Sequence, residues 1–167
     1  MILCLVITAA VIFLDQITKL LVVQNISEGA SVEAIRGVFR LTYTDNEGAA
    51  FGILSEHRWV FMVMSAIAIV AILIYIWKEK PQSILVRLSL GMILGGGIGN
   101  MIDRIFRGAV VDFIDLQFIP FWSYIFNVAD TFVCVGCGLL ILHLILSEIR
   151  ERKQKKAAAG TDSGADT

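Results

Sequence analysis

The side chains in this 167-residue chain that could do chemistry are carboxylates, and they stand at the ends of apolar stretches. Asp130 follows Phe126-Asn127-Val128-Ala129 and opens a long apolar run. Asn127 and Asp130 are spaced i, i+3, so a helix there puts both on one face. Asp112 and Asp115 lie in Gly108-Ala109-Val110-Val111-Asp112-Phe113-Ile114-Asp115. Neither Asp130 nor Asp112 has a cation one helical turn away in sequence. Burial without a local cation disfavours a carboxylate anion, whereas the first turn of a helix favours it. Two carboxylates in such opposed settings can share one proton. That arrangement suits acid–base hydrolysis by water, with no metal or cofactor required. The plainer readings are a helix N-terminal acid for Asp130 and an ordinary loop acid for Asp112. Asp112 and Asp115 compete as the loop partner, and local sequence barely separates them.

Other polar residues gather near the same ends. Asp15 and Lys19 are spaced i, i+4, which allows a neutralising ion pair within an apolar helix and also a role in a site. Asn100, Asp103, Arg104 and Arg107 form one polar stripe, with Asp103 expected to be held by Arg104 and Arg107. Gly95 and Gly99 make a small-xxx-small pair that admits a second backbone. Several alternatives fail. His57 and His143 fall on opposite membrane sides in the topology below, so they cannot share a site. Cys134 and Cys137 form a CxxC inside an apolar helix, without further ligands, and are read as packing residues. Gly95-Gly96-Gly97 follows a helix and has no Lys-Ser/Thr after it, so it is not a nucleotide loop.

Composition dictates where these residues must work. The chain is 57% hydrophobic and 17% charged, with a mean hydropathy of +0.78. Soluble domains run at about 45–50% apolar and about 25% charged, which excludes a soluble globular enzyme and a disordered chain. A net charge of −1 implies no nucleic-acid surface, and three cysteines indicate no disulfide framework. The segment 1–23 lacks a positive leader and carries Asp15 and Lys19, so it is a span and not a signal peptide. Segment 59–77 has no charge and a tryptophan at each end.

The expectation is an all-α membrane protein. It is a four-transmembrane-helix bundle with a small extracytoplasmic β-sheet and both termini cytoplasmic. Residues 1–149 form one integral-membrane domain, with spans at about 1–23, 59–77, 84–102 and 127–147. Residues 150–167 form a basic and then disordered cytoplasmic tail. Lys78, Lys80 and Arg87 on one connection, with the basic run after Ile149, set this orientation. Phe39, Leu41 and Tyr43 alternate with polar residues, which predicts a strand over 38–44. The segment 105–125 is read as a loop.

Five blocks then carry a resemblance. They are Asp15-Gln16-Ile17-Thr18-Lys19, Asn46-Glu47-Gly48-Ala49-Ala50-Phe51, Gly96-Gly97-Ile98-Gly99-Asn100-Met101-Ile102-Asp103-Arg104, Val111-Asp112-Phe113-Ile114 and Phe126-Asn127-Val128-Ala129-Asp130. In this order the chain resembles bacterial lipoprotein signal peptidase, the signal peptidase II family. The resemblance implies an aspartic endopeptidase of the bacterial inner membrane, working at the extracytoplasmic face. Its substrates would be prolipoproteins whose lipobox Cys carries diacylglycerol, cut just before that Cys. Asp112 and Asp130 would be the catalytic dyad, which chooses Asp112 over Asp115. Asn46, Asn100, Arg104 and Asn127 would orient substrate and dyad, and Asp15, Lys19 and Asp103 would support the site. Phe51, with the apolar face of 38–44, would cover the substrate. No metal or cofactor is implied, membrane lipids surround the chain, and a monomer is expected. The rival readings are a small proton- or ion-coupled transporter and a non-enzymatic scaffold. A transporter would carry polar residues through the midplane and an internal repeat, whereas the midplanes of spans two and four are apolar and no internal repeat is visible.

Overall fold

The computed structural model describes residues 1–48, 58–118 and 124–162. In chain order the elements are α1 (Ile2–Asn25), β1 (Ser31–Ile35), β2 (Phe39–Asn46), α2 (Arg58–Glu79), α3 (Ile84–Phe106), β3 (Val110–Leu116), β4 (Ile125–Phe126) and α4 (Val128–Asp162). Each of the four helices is long and apolar enough to cross a membrane. They turn outward such residues as Phe13, Met64, Ile67, Val135 and Leu144. Large exposed apolar residues of this kind are stable only against lipid. The chain is therefore mostly helical, with a small antiparallel sheet at one end.

α3 is the central helix and packs against α1, α2 and α4. Its glycines make that possible. A Cβ on Gly99 would stand 2.5 Å from Asp15 Oδ2, and one on Gly96 would run into the Ala129 carbonyl. The absent side chains thus bring α1 and the start of α4 close enough for polar groups to meet across α3. On the far side from the sheet, Cys4, Ile76, Val86, Leu90 and Leu94 form an apolar core.

The sheet has the order β1-β2-β3-β4, all pairs antiparallel. The strand expected over 38–44 is present as β2. Its apolar face, expected to cover a substrate, is turned to the bundle. Leu41 and Tyr43 pack against Val22, Val111 and Phe113 to join the sheet to the bundle. The segment read as a loop contains β3. Gly108, at φ +88, lets the chain reverse directly after α3. The β-branched and aromatic run that follows then pairs with β2, opposing Thr44 to Asp112 and Arg40 to Asp115.

Two further expectations change. α4 runs past its expected end to Asp162, so the tail is helical through the described residues. Its Glu, Arg, Lys, Gln and Ala residues are good helix formers, and Glu148 pairs with Arg152 at 2.7 Å across one turn. Cys134 and Cys137 are exposed on the bundle exterior and not packed between helices. His57 and Phe51 lie outside the described residues.

The close approach at Gly96 has a measurable consequence. Gly96→Ala is expected to lower the thermal midpoint in detergent, at a cost of about 1–3 kcal/mol, because backbone and not a flexible side chain must yield. Gly138→Ala, which meets nothing within 4 Å, is expected to leave the midpoint unchanged or slightly higher. Equal losses in the two variants would refute this account of the α3–α4 contact.

Candidate active site

The site begins with a lysine buried where no lysine is stable alone. Lys19, Asp15 and Asp103 all have 0% side-chain exposure. The Lys19 Nζ donates to Asp15 Oδ2 at 2.9 Å, to Asp103 Oδ2 at 2.7 Å and to Asn100 Oδ1 at 2.9 Å. All three ammonium protons therefore have partners. The carboxylates are satisfied from further sides. Asp15 Oδ1 accepts the Ala129 N–H at 3.0 Å, in the opening turn of α4. Gln16 Nε2 lies 3.1 Å from Asp15 Oδ2 and 3.2 Å from Asp103 Oδ1. Asp103 Oδ2 also accepts the Val111 N–H at 3.4 Å, which ties the start of β3 to α3.

Asp103 is not held by Arg104. Its cations are Lys19 and, at 3.8 Å, Arg107. Successive residues on a helix point about 100° apart, so Arg104 leaves Asp103 behind. The Arg104 guanidinium lies 5.8 Å from the centre of the Phe61 ring and in the field of Asp130 and Asp112. Its Nε is buried with no hydrogen-bond partner among the described residues.

From Lys19 the order passes through amides. Asn100 Oδ1 accepts from Lys19 and, at 3.1 Å, from Asn127 Nδ2. This turns Asn100 Nδ2 to Asp130 Oδ1, at 2.8 Å. Asn127 precedes α4, and its Oδ1 accepts the Asp130 N–H at 2.9 Å. Asp130 Oδ2 in return accepts the Asn127 N–H at 3.3 Å. This is the reciprocal pattern of a capping box, with Asp in the place of the usual Glu. With its oxygen so engaged, Asn127 presents Nδ2 to Asp112 Oδ1 at 2.6 Å. Asn46 Nδ2 takes Asp112 Oδ2 at 2.8 Å, its own oxygen being fixed by the Gly48 N–H. Asn127 is thus hydrogen-bonded to both Asp112 and Asp130.

β3 separates the two acids that local sequence could not. Side chains alternate along a strand, so residues three apart face opposite sides. Asp112 turns to Asn127 and Asn46. Asp115 turns to Arg40, at 2.6 Å, and to Thr42, at 2.8 Å. Burial lifts the Asp112 carboxyl to about 7; the Asp130 charge adds to this, and the Asn46 and Asn127 hydrogen bonds oppose it. Burial also acts upward on Asp115, but Thr42, Arg40 and Gln117 outweigh it and hold the carboxyl below its usual range. Asp115 is an anion tied into the sheet.

The structure brings Asp15, Lys19, Asn46, Asn100, Asp103, Arg104, Asp112, Asn127 and Asp130 to one end of the bundle. Sequence reasoning missed Gln16, whose single signal was its place beside Asp15. It also missed Tyr124. Burial and then the charges of Asp130 and Asp112 push the Tyr124 phenol up to about 12.

Four apolar helices with a buried polar network and two amide-linked carboxylates under a sheet define an integral membrane protein with a built carboxylate site. Residues 7–146 match the family described as signal peptidase (SPase) II. The chain is 43% identical over 152 residues to the lipoprotein signal peptidase of Halalkalibacterium halodurans, covering 91% of this chain and 97% of that protein. It is 46% identical over 134 residues to that of Halothermothrix orenii, covering 80% and 89%. A solved structure described as a bacterial membrane enzyme superposes with a TM-score of 0.81 at 31% identity, covering 87% of this chain and 88% of the other. A second, of the same description, gives 0.78 at 32%, covering 84% and 91%. The chain belongs to the signal peptidase II family, and it is a peptidase. Nothing in this kinship supports the transporter reading.

Removing the central cation should be costly. Lys19→Met is expected to destabilise the folded protein by about 3–5 kcal/mol, because Asp15 and Asp103 stay buried without their shared partner. Thermal unfolding of the purified variant measures this. Reversal by adding Asp103→Asn would show that the loss comes from the uncompensated charge and not from lost packing.

Proposed function

We propose that this chain is an aspartic endopeptidase that removes the signal peptide of prolipoproteins by cutting just before a lipobox Cys that carries diacylglycerol, with Asp112 and Asp130 as its dyad. The observation that carries this reading is that Asn127 donates to both carboxylates, from its side-chain Nδ2 to Asp112 and from its backbone N–H to Asp130. Asp112 titrates near neutrality and Asp130 sits in the dipole field of α4. Asp112 is then the member suited to carry a proton near neutrality. Asp130, ionised, takes a proton from water as the water oxygen attacks the scissile carbonyl. Asp112, protonated, donates to the carbonyl oxygen as it becomes an alcohol. Collapse of the tetrahedral intermediate returns that proton to Asp112, and the proton on Asp130 passes to the leaving amine.

Arg104, with an uncommitted Nε beside the dyad, is suited to a substrate carbonyl. Asn46, Asn100 and Asn127 hold the dyad, Asp15, Lys19 and Asp103 support it, and Phe51 is assigned to the substrate from its sequence block alone. Neither metal nor cofactor takes part. The protein works as a monomer in the bacterial inner membrane, with both termini cytoplasmic and the sheet outside. That orientation rests on the Lys and Arg residues of 78–87 and 150–156. The acyl chains of the substrate then stay in lipid while the scissile bond reaches water.

Asp112→Asn and Asp130→Asn are each expected to abolish release of signal peptide from a diacylated lipobox substrate, by at least about 1,000-fold in kcat, with binding retained. Asp115→Asn should keep most turnover. Substantial turnover in either dyad variant would overturn the mechanism. The rate should fall as pH rises through about 7, because the dyad then loses the proton that must be donated. A rate still rising well above that pH would contradict the assignment. For orientation, single cysteines at Glu33 and Gln154, in a background lacking Cys4, Cys134 and Cys137, separate the two sides. An impermeant thiol reagent on intact cells should label the first and not the second.

A further inference from the structure

A cavity of about 470 Å³ opens at the end of the bundle opposite the sheet, between α1, α2 and α3. Its walls differ in character. Cys4, Ile76 and Leu90, all buried, give it an apolar side continuous with the core. Lys80, Gln82 and Arg87 give it a polar rim, and Trp77 stands at its edge. The rim is built. Lys80 ends α2 in the left-handed region, at φ 43, with its N–H on the Ile76 carbonyl. Gln82 Nε2 holds the Lys80 carbonyl at 2.8 Å, and Arg87 Nη2 holds the Gln82 carbonyl at 2.8 Å. Arg87 Nε is buried and has no hydrogen-bond partner among the described residues. Among the described residues no carboxylate forms an ion pair with either Arg87 or Lys80.

A buried guanidinium N–H without an acceptor costs free energy until one arrives. A phosphate supplies oxygens that a guanidinium can take in a fork, and a lysine adds a point charge. The apolar wall suits a hydrocarbon chain. The exposed Trp77 places the rim at the depth of the headgroups. A second cavity of about 500 Å³ at the same end, lined by His143, Arg150 and Glu151, holds an acid beside its arginine and lacks this one-sided charge.

We infer that the first cavity binds an anionic glycerophospholipid of the leaflet at that end, with its phosphate on Arg87 and Lys80 and an acyl chain along Ile76 and Leu90. Basic pockets between transmembrane helices bind anionic headgroups by the same chemistry. The site is separate from the dyad, so occupancy acts on stability and not on the peptide-bond chemistry.

The test compares thermal midpoints of the purified full chain in micelles containing phosphatidylglycerol, in micelles containing phosphatidylcholine, and in the latter with inorganic phosphate. The anionic lipid should raise the midpoint by about 5 °C over the zwitterionic lipid, as a ligand that binds the folded state does. Lys80→Gln should reduce this gain and Lys80→Gln/Arg87→Gln should abolish it, with cleavage in zwitterionic micelles unchanged. Should the double variant fail to insert, Lys80→Gln decides the outcome, because its side chain is exposed on a loop. Lys153→Gln/Lys155→Gln, which removes charge from the α4 extension, should keep the full gain. An equal gain in the Lys80 variants, or loss of the gain in the α4 variant, would overturn the site in favour of diffuse surface attraction. Stabilisation by inorganic phosphate alone would overturn the lipid assignment.

Discussion

One ammonium group holds this structure together at its polar end. Lys19 is wholly buried within an apolar bundle, and it is tolerable there only because three acceptors surround it. Those acceptors come from α1 itself and from α3, and Asp15 in turn receives the first turn of α4. Desolvating one cation and two anions is expensive, and only a complete set of bonds offsets the expense. The position of three helices at this end is therefore fixed together. The glycines of α3 are the steric condition for it, since a methyl group at Gly99 would occupy the space of the Asp15 carboxylate.

The same ammonium orients the proposed dyad without touching it. An amide side chain has a donor end and an acceptor end, so fixing one end fixes the other. Lys19 claims the oxygen of Asn100, and the nitrogen of Asn100 then meets Asp130. The N–H of Asp130 claims the oxygen of Asn127, and the nitrogen of Asn127 then meets Asp112. Each bond is ordinary. Their chain leaves the two carboxylates in unlike surroundings, one buried against β2 and the other at a helix N-terminus. Unlike surroundings are what let a pair of acids take different roles.

The sheet contributes more than a cover. β2 and β3 lock Asp115 to Arg40 and Thr42, which removes it from acid–base work near neutrality. The stability from that contact is present above the ordinary carboxylate pKa and is lost as pH falls through the lower value in the folded state. Asp112, on the opposite face of β3, has amide partners and no direct cation. Val111 and Phe113, packed on Val22, keep the strand seated on the bundle.

Sequence by itself determined the membrane class and the four spans, because apolar length is a local property that needs no partner. It determined the Asp15–Lys19 pair and the Asn127–Asp130 pair, because both lie within one helical turn. For Asp103 it found the longer contact, Arg107 one turn on, but not the nearer cation, which is on α1 and far away in the chain. Nor did it separate Asp112 from Asp115. That distinction depends on the segment being a strand with alternating faces, and the strand exists only because β2 is there to pair with it. The helical tail beyond Ser147 was hidden for another reason, as small and charged residues suit both a helix and a disordered end. Tertiary structure decided these points because each rests on a contact between elements distant in sequence. A buried charge is satisfied by whatever group folding brings within reach.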